Sequence, residues 1–323
     1  MDLLQYQAKE PFAQQHLLTL QDYSKDEILQ VLALALRLKQ DLKDGLGFSA
    51  QKGPCSGQTL AMIFTKSSTR TRVSFETGFY QLGGQAMFLS SNDIQLGRGE
   101  PLEDTARVLG RMVDGIMIRT FAHRDVELLA EYSGIPVING LTDDYHPCQV
   151  LADLLTYYEH KGKLTGKLAF VGDGNNMAHS LLLGCSKLGM NVAVASPENY
   201  LPQADIVALA KQNAEENGSE VLVTTDPVEA VTGADCIYTD VWASMGQEEE
   251  QKQRETAFAP YQVNEELAAL ASKDYIFQHC LPAHRGEEVT AEVIDGSHSV
   301  IFDEAENRLH AQKAVMYLLM SKN

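Results

Sequence analysis

The sequence predicts an α/β protein: two doubly wound parallel-sheet domains joined by interdomain helices, with an active site in the cleft. Three observations carry this expectation. The 323 residues exceed one typical domain and suffice for two cores. Short apolar runs alternate with stretches of helical spacing from residue 60 almost to the end, which is the rhythm of right-handed βαβ units. Polar turns bearing Arg, Asp or Gly follow several of those runs, at the strand ends where a parallel sheet carries its functional groups.

Taken in order, residues 17–38 place apolar side chains at helical spacing, with Ser24, Asp26 and Glu27 as a cap-and-acid start before Ile28, Val31 and Leu32. Residues 45–57 read as loop. A strand at 60–64 leads through Ser68-Thr69-Arg70-Thr71-Arg72 into a helix at 73–82. Strands at 85–89, 115–119 and 135–139 then alternate with helices at 102–112 and 126–132. Residues 139–155 give a connection and a long helix joining the halves, with Pro147 near its first turn, where a missing N–H does no harm. The second half predicts strands at 168–171, 192–195, 221–224, 236–239 and 275–278. Helices are expected there at 177–188, 204–216, 228–232 and 264–270. The final run, 309–320, reads as an amphipathic helix returning to the first domain.

Residues 68–72 organise the functional reading. A strand that brings hydroxyls, unpaired N–H groups and two guanidinium groups to a helix start suits an anion, since orphan donors and the helix dipole both favour negative charge. Phosphate fits best because arginine recognises it in a planar, bidentate way. The alternative is a serine cap followed by solvated arginines. A net charge of −18 argues against nucleic acid or an anionic membrane as partner, so an anion must bind in a local positive pocket. Lys66, Arg70 and Arg72 are its first candidates; Arg119, at a strand end, either faces the same pocket or lies on the surface. His146, at a helix start, is either a cap or a group pointing back at a ligand.

Five scattered cysteines show no C-x-x-C pair and no metal-ligand spacing, which predicts free thiols in a reducing compartment. No basic, apolar leader opens the sequence and no run approaches the ~20 apolar residues of a bilayer span, so the cytoplasm is the expected location.

In the second half, Gly172-Asp173-Gly174-Asn175-Asn176 is a glycine turn after a strand that lacks the third glycine of a dinucleotide fingerprint. An amide such as Asn176 suits a carboxylate or another small polar group there. Asp240, with Ser244 four residues on, could bind an ammonium group, or could be a turn carboxylate. Residues 247–254 are too charged for a core and read as a mobile flap. Cys280 follows a strand and is either chemical or a buried structural thiol.

The stretches 68–72, His146-Pro147-Cys148-Gln149, 240–246 and His279-Cys280-Leu281-Pro282 occur in an order that resembles the aspartate/ornithine carbamoyltransferase family, over residues 17–319. The resemblance implies a carbamoyl-phosphate-binding domain at 1–140, completed by a C-terminal helix at 309–323, and an ornithine-binding domain at 141–308. It implies that Ser68, Thr69, Arg70 and Thr71 hold the phosphate, while Arg119, His146 and Gln149, with Pro147 and Cys148, surround the carbamoyl group. Gln95 matches the position that reaches a neighbouring subunit's site. Asn176, Asp240, Ser244 and Met245 match acceptor contacts; Cys280, Leu281 and Arg308 complete the site, with Cys280 near the reacting amine.

The implied catalytic residues are Arg70, Arg119, His146, Cys280 and Asp240. The implied partners are carbamoyl phosphate and L-ornithine, in a homotrimer or multiple of trimers, with no metal, organic cofactor, nucleic acid or membrane. The paired D-x-x-x-S-M-G and H-C-L-P motifs favour ornithine over aspartate. Putrescine, another amine, or a regulatory protein that binds amino acids without turnover are the alternatives. One departure stands out: Thr65 precedes Lys66 where relatives commonly carry an acidic residue, so the holding of Lys66 or the arginines could differ.

Overall fold

The computed structural model describes residues 2–47, 52–91, 93–94, 99–243 and 250–321. The chain divides into two compact units, Met1–Leu155 with Glu306–Asn323, and Thr156–Ala305. The division falls inside two helices.

The first unit opens on α1 (Lys25–Lys43), which starts at a capping box formed by Ser24 and Glu27. Residues 17–23 do not continue that helix, contrary to their spacing. The Leu17 N–H donates to Val137 O at 2.9 Å, and Leu17 O accepts from the Asn139 N–H at 2.8 Å, so Leu17 is captured as a bridge residue, and residues 20–22 form a short 3-10 helix. Then follow β1 (Thr59–Phe64), α2 (Thr69–Gln81), β2 (Gln85–Ser90), α3 (Leu102–Leu109), β3 (Gly115–Arg119), α4 (His123–Ser133), β4 (Val137–Leu141) and α5 (Pro147–Lys161).

All strand pairs in this sheet are parallel, in the order β2-β1-β3-β4. Strand order reverses between β1 and β3, and a crevice at such a switch point is where open α/β sheets bind ligands. Phe64 stands opposite Arg119 in the register, so the turn after β1 and the end of β3 lie side by side. The register shifts between Ile118 and Arg119, which pair with Asn139 and Leu141, so Gly140 is the extra residue, on β4. Beneath them Ile63, Ile116, Ile118 and Val137 pack with Ala106, Val126 and Leu129, each buried aliphatic worth about 1.5–3 kcal/mol.

The second unit contains β5 (Lys167–Val171), α6 (Asn176–Leu188), β6 (Asn191–Ala195), α7 (Ala204–Asn217), β7 (Val221–Thr224), α8 (Pro227–Val231), β8 (Cys236–Thr239), α9 (Gln251–Phe258), α10 (Glu265–Ala268), β9 (Ile276–His279) and α11 (Ala291–Ile294). Its parallel order is β7-β6-β5-β8-β9, with the reversal between β5 and β8. Val171 faces Thr239, and Thr239 faces His279, so three strand ends finish level. The last strand runs one residue later than its apolar pattern predicts, which makes His279 the end of β9 and Cys280 the residue just past it.

The final helix, α12 (Ile301–Met320), is not amphipathic over its second half. Ala311, Gln312, Lys313, Ala314, Val315 and Met316 are all buried in the first unit. Its polar groups are met there: Lys313 Nζ donates to Gln81 Oε1 at 3.0 Å, and Met320 O accepts from Gln58 Nε2 at 2.7 Å. Burial pulls the Lys313 ammonium down to about 8. No helix among the described residues is long and apolar enough to cross a membrane.

Candidate active site

In the first unit, Ser68 caps α2: its Oγ accepts the Thr71 N–H at 3.2 Å and donates to Thr71 Oγ1 at 3.1 Å. Thr71 is fully buried and in turn accepts from Arg308 Nη2 at 3.2 Å. Arg308 Nη1 donates to Gln149 Oε1 at 2.6 Å, and Gln149 Nε2 donates to Asp153 Oδ1 at 2.8 Å. This chain fixes the guanidinium of α12 against the turn after β1 and the start of α5. His146 is buried beside it and its pKa lies well below the usual histidine range, first through burial and then through the positive charges of Arg308, Arg119 and Arg70. The positive charges of three arginines, on α2, β3 and α12, thus act on one imidazole, which is neutral at physiological pH. A neutral imidazole among cations offers a hydrogen bond without adding to the repulsion between the guanidinium groups.

Two of the expected cations go elsewhere. Arg72 lies on the exposed side of α2, where it pairs with Glu76 at 3.4 Å and stacks 3.9 Å over the Phe88 ring. Helical geometry requires this, since Arg70 and Arg72 are two positions apart and cannot face the same way. Lys66 is buried against the Phe121 ring and bonds to Asp143. Thr65 bonds instead to the backbone of Arg119, whose carbonyl accepts both its N–H at 2.9 Å and its hydroxyl at 3.2 Å. Cys148 is buried, its thiol donating to Asn139 O at 3.3 Å and pushed up to about 12 by burial, so it is not a nucleophile.

In the second unit the glycine turn has a packing reason. A Cβ on Gly174 would lie 2.3 Å from Pro202 N and 2.5 Å from Tyr200 O, so only glycine lets these two backbones meet. Asn175 caps α6 by accepting the Met177 N–H at 2.9 Å, leaving Asn176 as its first residue. Asp240 follows β8 and accepts from the Val241 N–H at 2.8 Å and from the Cys280 thiol at 3.1 Å, so the two chemical candidates are joined directly.

The strand end carrying Cys280 is anchored by groups the sequence did not single out. Glu304 accepts the His279 N–H at 2.9 Å and the Tyr238 hydroxyl at 3.1 Å. His279 Nδ1 accepts the Leu281 N–H at 2.9 Å, so its Nε2–H donates to Glu288 at 3.1 Å. Leu281 is held at φ +56, a left-handed conformation that costs a non-glycine residue about 1–3 kcal/mol. Asp240, His279 and Cys280 offer donor atoms within 4.8 Å of one another, but both imidazole nitrogens and the thiol are already engaged in these bonds.

Arg254 was expected in a flap. It is buried within α9 and donates to Asp173 Oδ2 at 2.7 Å and to Trp242 O at 3.0 Å. Burial raises the Asp173 pKa despite this guanidinium, and the Asp240 and Glu250 charges add to the rise. Neither member of this pair was legible locally, because they are far apart in sequence. Gln95, Ser244 and Met245, together with 247–249 of the flap, lie outside the described residues.

Two parallel α/β units, one with a guanidinium-rich anion turn at its switch point and the other with a carboxylate, an amide and a thiol at its strand ends, define a two-domain protein suited to two polar substrates. The chain matches the carbamoyl-P binding domain of aspartate/ornithine carbamoyltransferase over residues 15–159 and the Asp/Orn binding domain over 165–319. It belongs to the aspartate/ornithine carbamoyltransferase family.

It is 62% identical over 304 residues to an ornithine carbamoyltransferase of Anoxybacillus flavithermus, covering 94% of this chain and 96% of that one. It is 60% identical to the ornithine carbamoyltransferase of Carboxydothermus hydrogenoformans, covering 94% of this chain and 96% of that one. The solved ornithine carbamoyltransferase from Pyrococcus furiosus superposes with a TM-score of 0.93 at 54% identity, over 97% of this chain and 99% of that one.

Proposed function

We propose that this chain transfers the carbamoyl group of carbamoyl phosphate to the δ-amine of L-ornithine, giving L-citrulline and phosphate. The observation that carries the reading is the Arg308 guanidinium bonded to Thr71 and Gln149 beside the helix start capped by Ser68, with buried His146 neutral in the field of Arg308, Arg119 and Arg70, a charge pattern suited to a phosphorylated donor. Ser68, Thr69, Arg70 and Thr71 hold the phosphate; Arg119, His146, Gln149 and Arg308 surround the carbamoyl group, with Pro147 and Cys148 contributing backbone. Ornithine binds the second unit, its α-ammonium on Asp240, its α-carboxylate near Asn176, with Ser244, Met245 and Leu281 beside it. The high identity to named ornithine carbamoyltransferases supports this choice of acceptor.

In the reaction the neutral amine attacks the carbonyl carbon, and the tetrahedral intermediate collapses by expelling phosphate. The arginines stabilise charge on the carbonyl oxygen and on the leaving group, and the His146 hydrogen bond orients the carbonyl. An alkylamine with a pKa near ~10 is almost wholly protonated at neutral pH, so the site must favour its neutral form or accept its proton; Asp240 and Cys280, bonded to each other, are the candidates for this. The assembly is a homotrimer or a multiple of trimers, with Gln95 reaching a neighbouring subunit. The five free cysteines suit the reducing cytoplasm.

Citrulline formation tests the proposal, with ornithine, putrescine and N-acetylornithine compared as acceptors. Ornithine should lead by at least about a hundredfold in kcat/KM, the discrimination expected when a polar group of the site loses its partner. Preference for putrescine would reject the acceptor, and binding without turnover would favour a regulatory role.

A further inference from the structure

Residues 284–288, in the second unit, hold a cluster that none of the substrate roles uses. His284 Nδ1 and carboxylate oxygens of Glu287 and Glu288 lie within 4.8 Å of one another. The nitrogen stands 3.6 Å from Glu287 Oε2 and 4.0 Å from Glu288 Oε2, beyond hydrogen-bond reach of either.

A second, independent observation points to a ligand. Glu288 is fully buried, and its Oε1 accepts from His279 Nε2 at 3.1 Å and from the His284 N–H at 2.6 Å. Its Oε2 is buried too, yet has no hydrogen-bond partner. A buried carboxylate oxygen left without a donor is costly and uncommon in folded proteins. This one stands 4.0 Å from the His284 imidazole nitrogen, in the cluster that also holds the Glu287 carboxylate.

We propose that His284, Glu287 and Glu288 bind a divalent transition-metal ion. Ligand atoms about 2.0–2.2 Å from such an ion stand about 3.3–3.6 Å apart when tetrahedral, so the 3.6 Å between His284 and Glu287 already fits and the 4.0 Å between His284 and Glu288 has to close by about half an ångström. His284 and Glu287 can make that adjustment, with side chains 50% and 40% exposed, and solvent can supply the remaining coordination. One imidazole with two carboxylates suits Zn²⁺, Co²⁺ or Ni²⁺ better than the all-oxygen preferences of Ca²⁺ or Mg²⁺. The competing occupant is a proton on His284, which would supply positive charge without a metal.

The test is titration of the chelator-stripped full chain with Co²⁺, followed by visible absorption and thermal unfolding. One ion should bind with weak visible bands, no thiolate-to-metal charge-transfer band, and a rise in Tm. His284→Ala and Glu287→Gln should each weaken binding by at least about tenfold, the loss expected even for an outer partner of a metal site, while Cys280→Ser binds like the parent. Circular dichroism confirms that each variant is folded, and the isosteric Glu287→Gln suffices should His284→Ala not be. The proposal fails if the chain binds no Co²⁺ at neutral pH, or if both variants bind it undiminished. It fails equally if a thiolate band appears and Cys280→Ser abolishes it, because the ion then sits on the Asp240 and Cys280 pair.

Discussion

The turn after β1 and the turn after β5 occupy equivalent places in their sheets, each beside the strand where the order reverses, yet they carry opposite charge. The first gathers Arg70, Arg119 and Arg308 around a neutral histidine. The second gathers Asp173 and Asp240, with Arg254 as the buried counter-charge of Asp173. The same chain topology thus fixes where a ligand can bind and leaves its charge to a handful of side chains. The two turns are also held differently: α2 by a serine cap tied into Arg308, α6 by an asparagine cap and an ion pair from a distant helix.

The largest expected effect breaks the second turn. Arg254→Met leaves Asp173 buried without its partner and should cost about 3–5 kcal/mol in urea denaturation; a loss under ~1 kcal/mol would show that the pair does not hold this turn. Next comes the first turn, where Arg70→Ala should lower turnover at least about a hundredfold, or ~2.7 kcal/mol of transition-state stabilisation. Arg72→Ala, two residues on but facing solvent, should stay within about threefold, and equal losses from the two would erase the distinction drawn between them.

Asp240→Ala should weaken ornithine binding by about 2 kcal/mol, or ~30-fold, and leave carbamoyl phosphate binding largely intact, as calorimetry can measure. The reverse pattern would exclude the assignment of acceptor to the second unit.

The smallest effect is a pH dependence confined to the first unit. His146 in the folded chain titrates well below the unfolded histidine value, so below a pH of about 6.5 the unfolded chain takes up a proton that the folded one refuses. Its contribution is fully present above that pH and is lost on acidification towards the folded pKa, at no more than ~1.4 kcal/mol per pH unit. Burial lowers His16 and His123 in the same direction, so they add to the slope. His146→Gln should flatten part of it in denaturation curves between pH 5 and 7.

Much of this molecule was legible in local pattern. The apolar run at 60–64 followed by hydroxyls and arginines gave β1, its turn and α2, because strand, cap and helix signals each act over a few residues. The motif around Cys280 was equally clear, although the strand end shifted by one because Thr239 pairs with His279. Local pattern failed where distant chain intervened. Leu17 opens a run of helical spacing but is taken by the edge of β4, with residues 20–22 left as a short 3-10 turn, and the end of α12 is buried all round because the first unit encloses it. Arg254 looked like part of a solvated charge run until its partner, 81 positions away, came into view.

The sequence by itself determined the two α/β units, the order of their strands and helices, and the chemical character of each turn, since these rest on periodicity, capping and side-chain type within a few residues. Only tertiary structure decided which charges act together. Arg308 reaches Gln149 and Thr71 across 159 and 237 positions, and Cys280 reaches Asp240 across 40. Hydrogen bonds of that span exist only once helices have packed on the sheet and parallel pairing has brought strand ends level, and that arrangement is set by burial of the sheets, not by any local pattern.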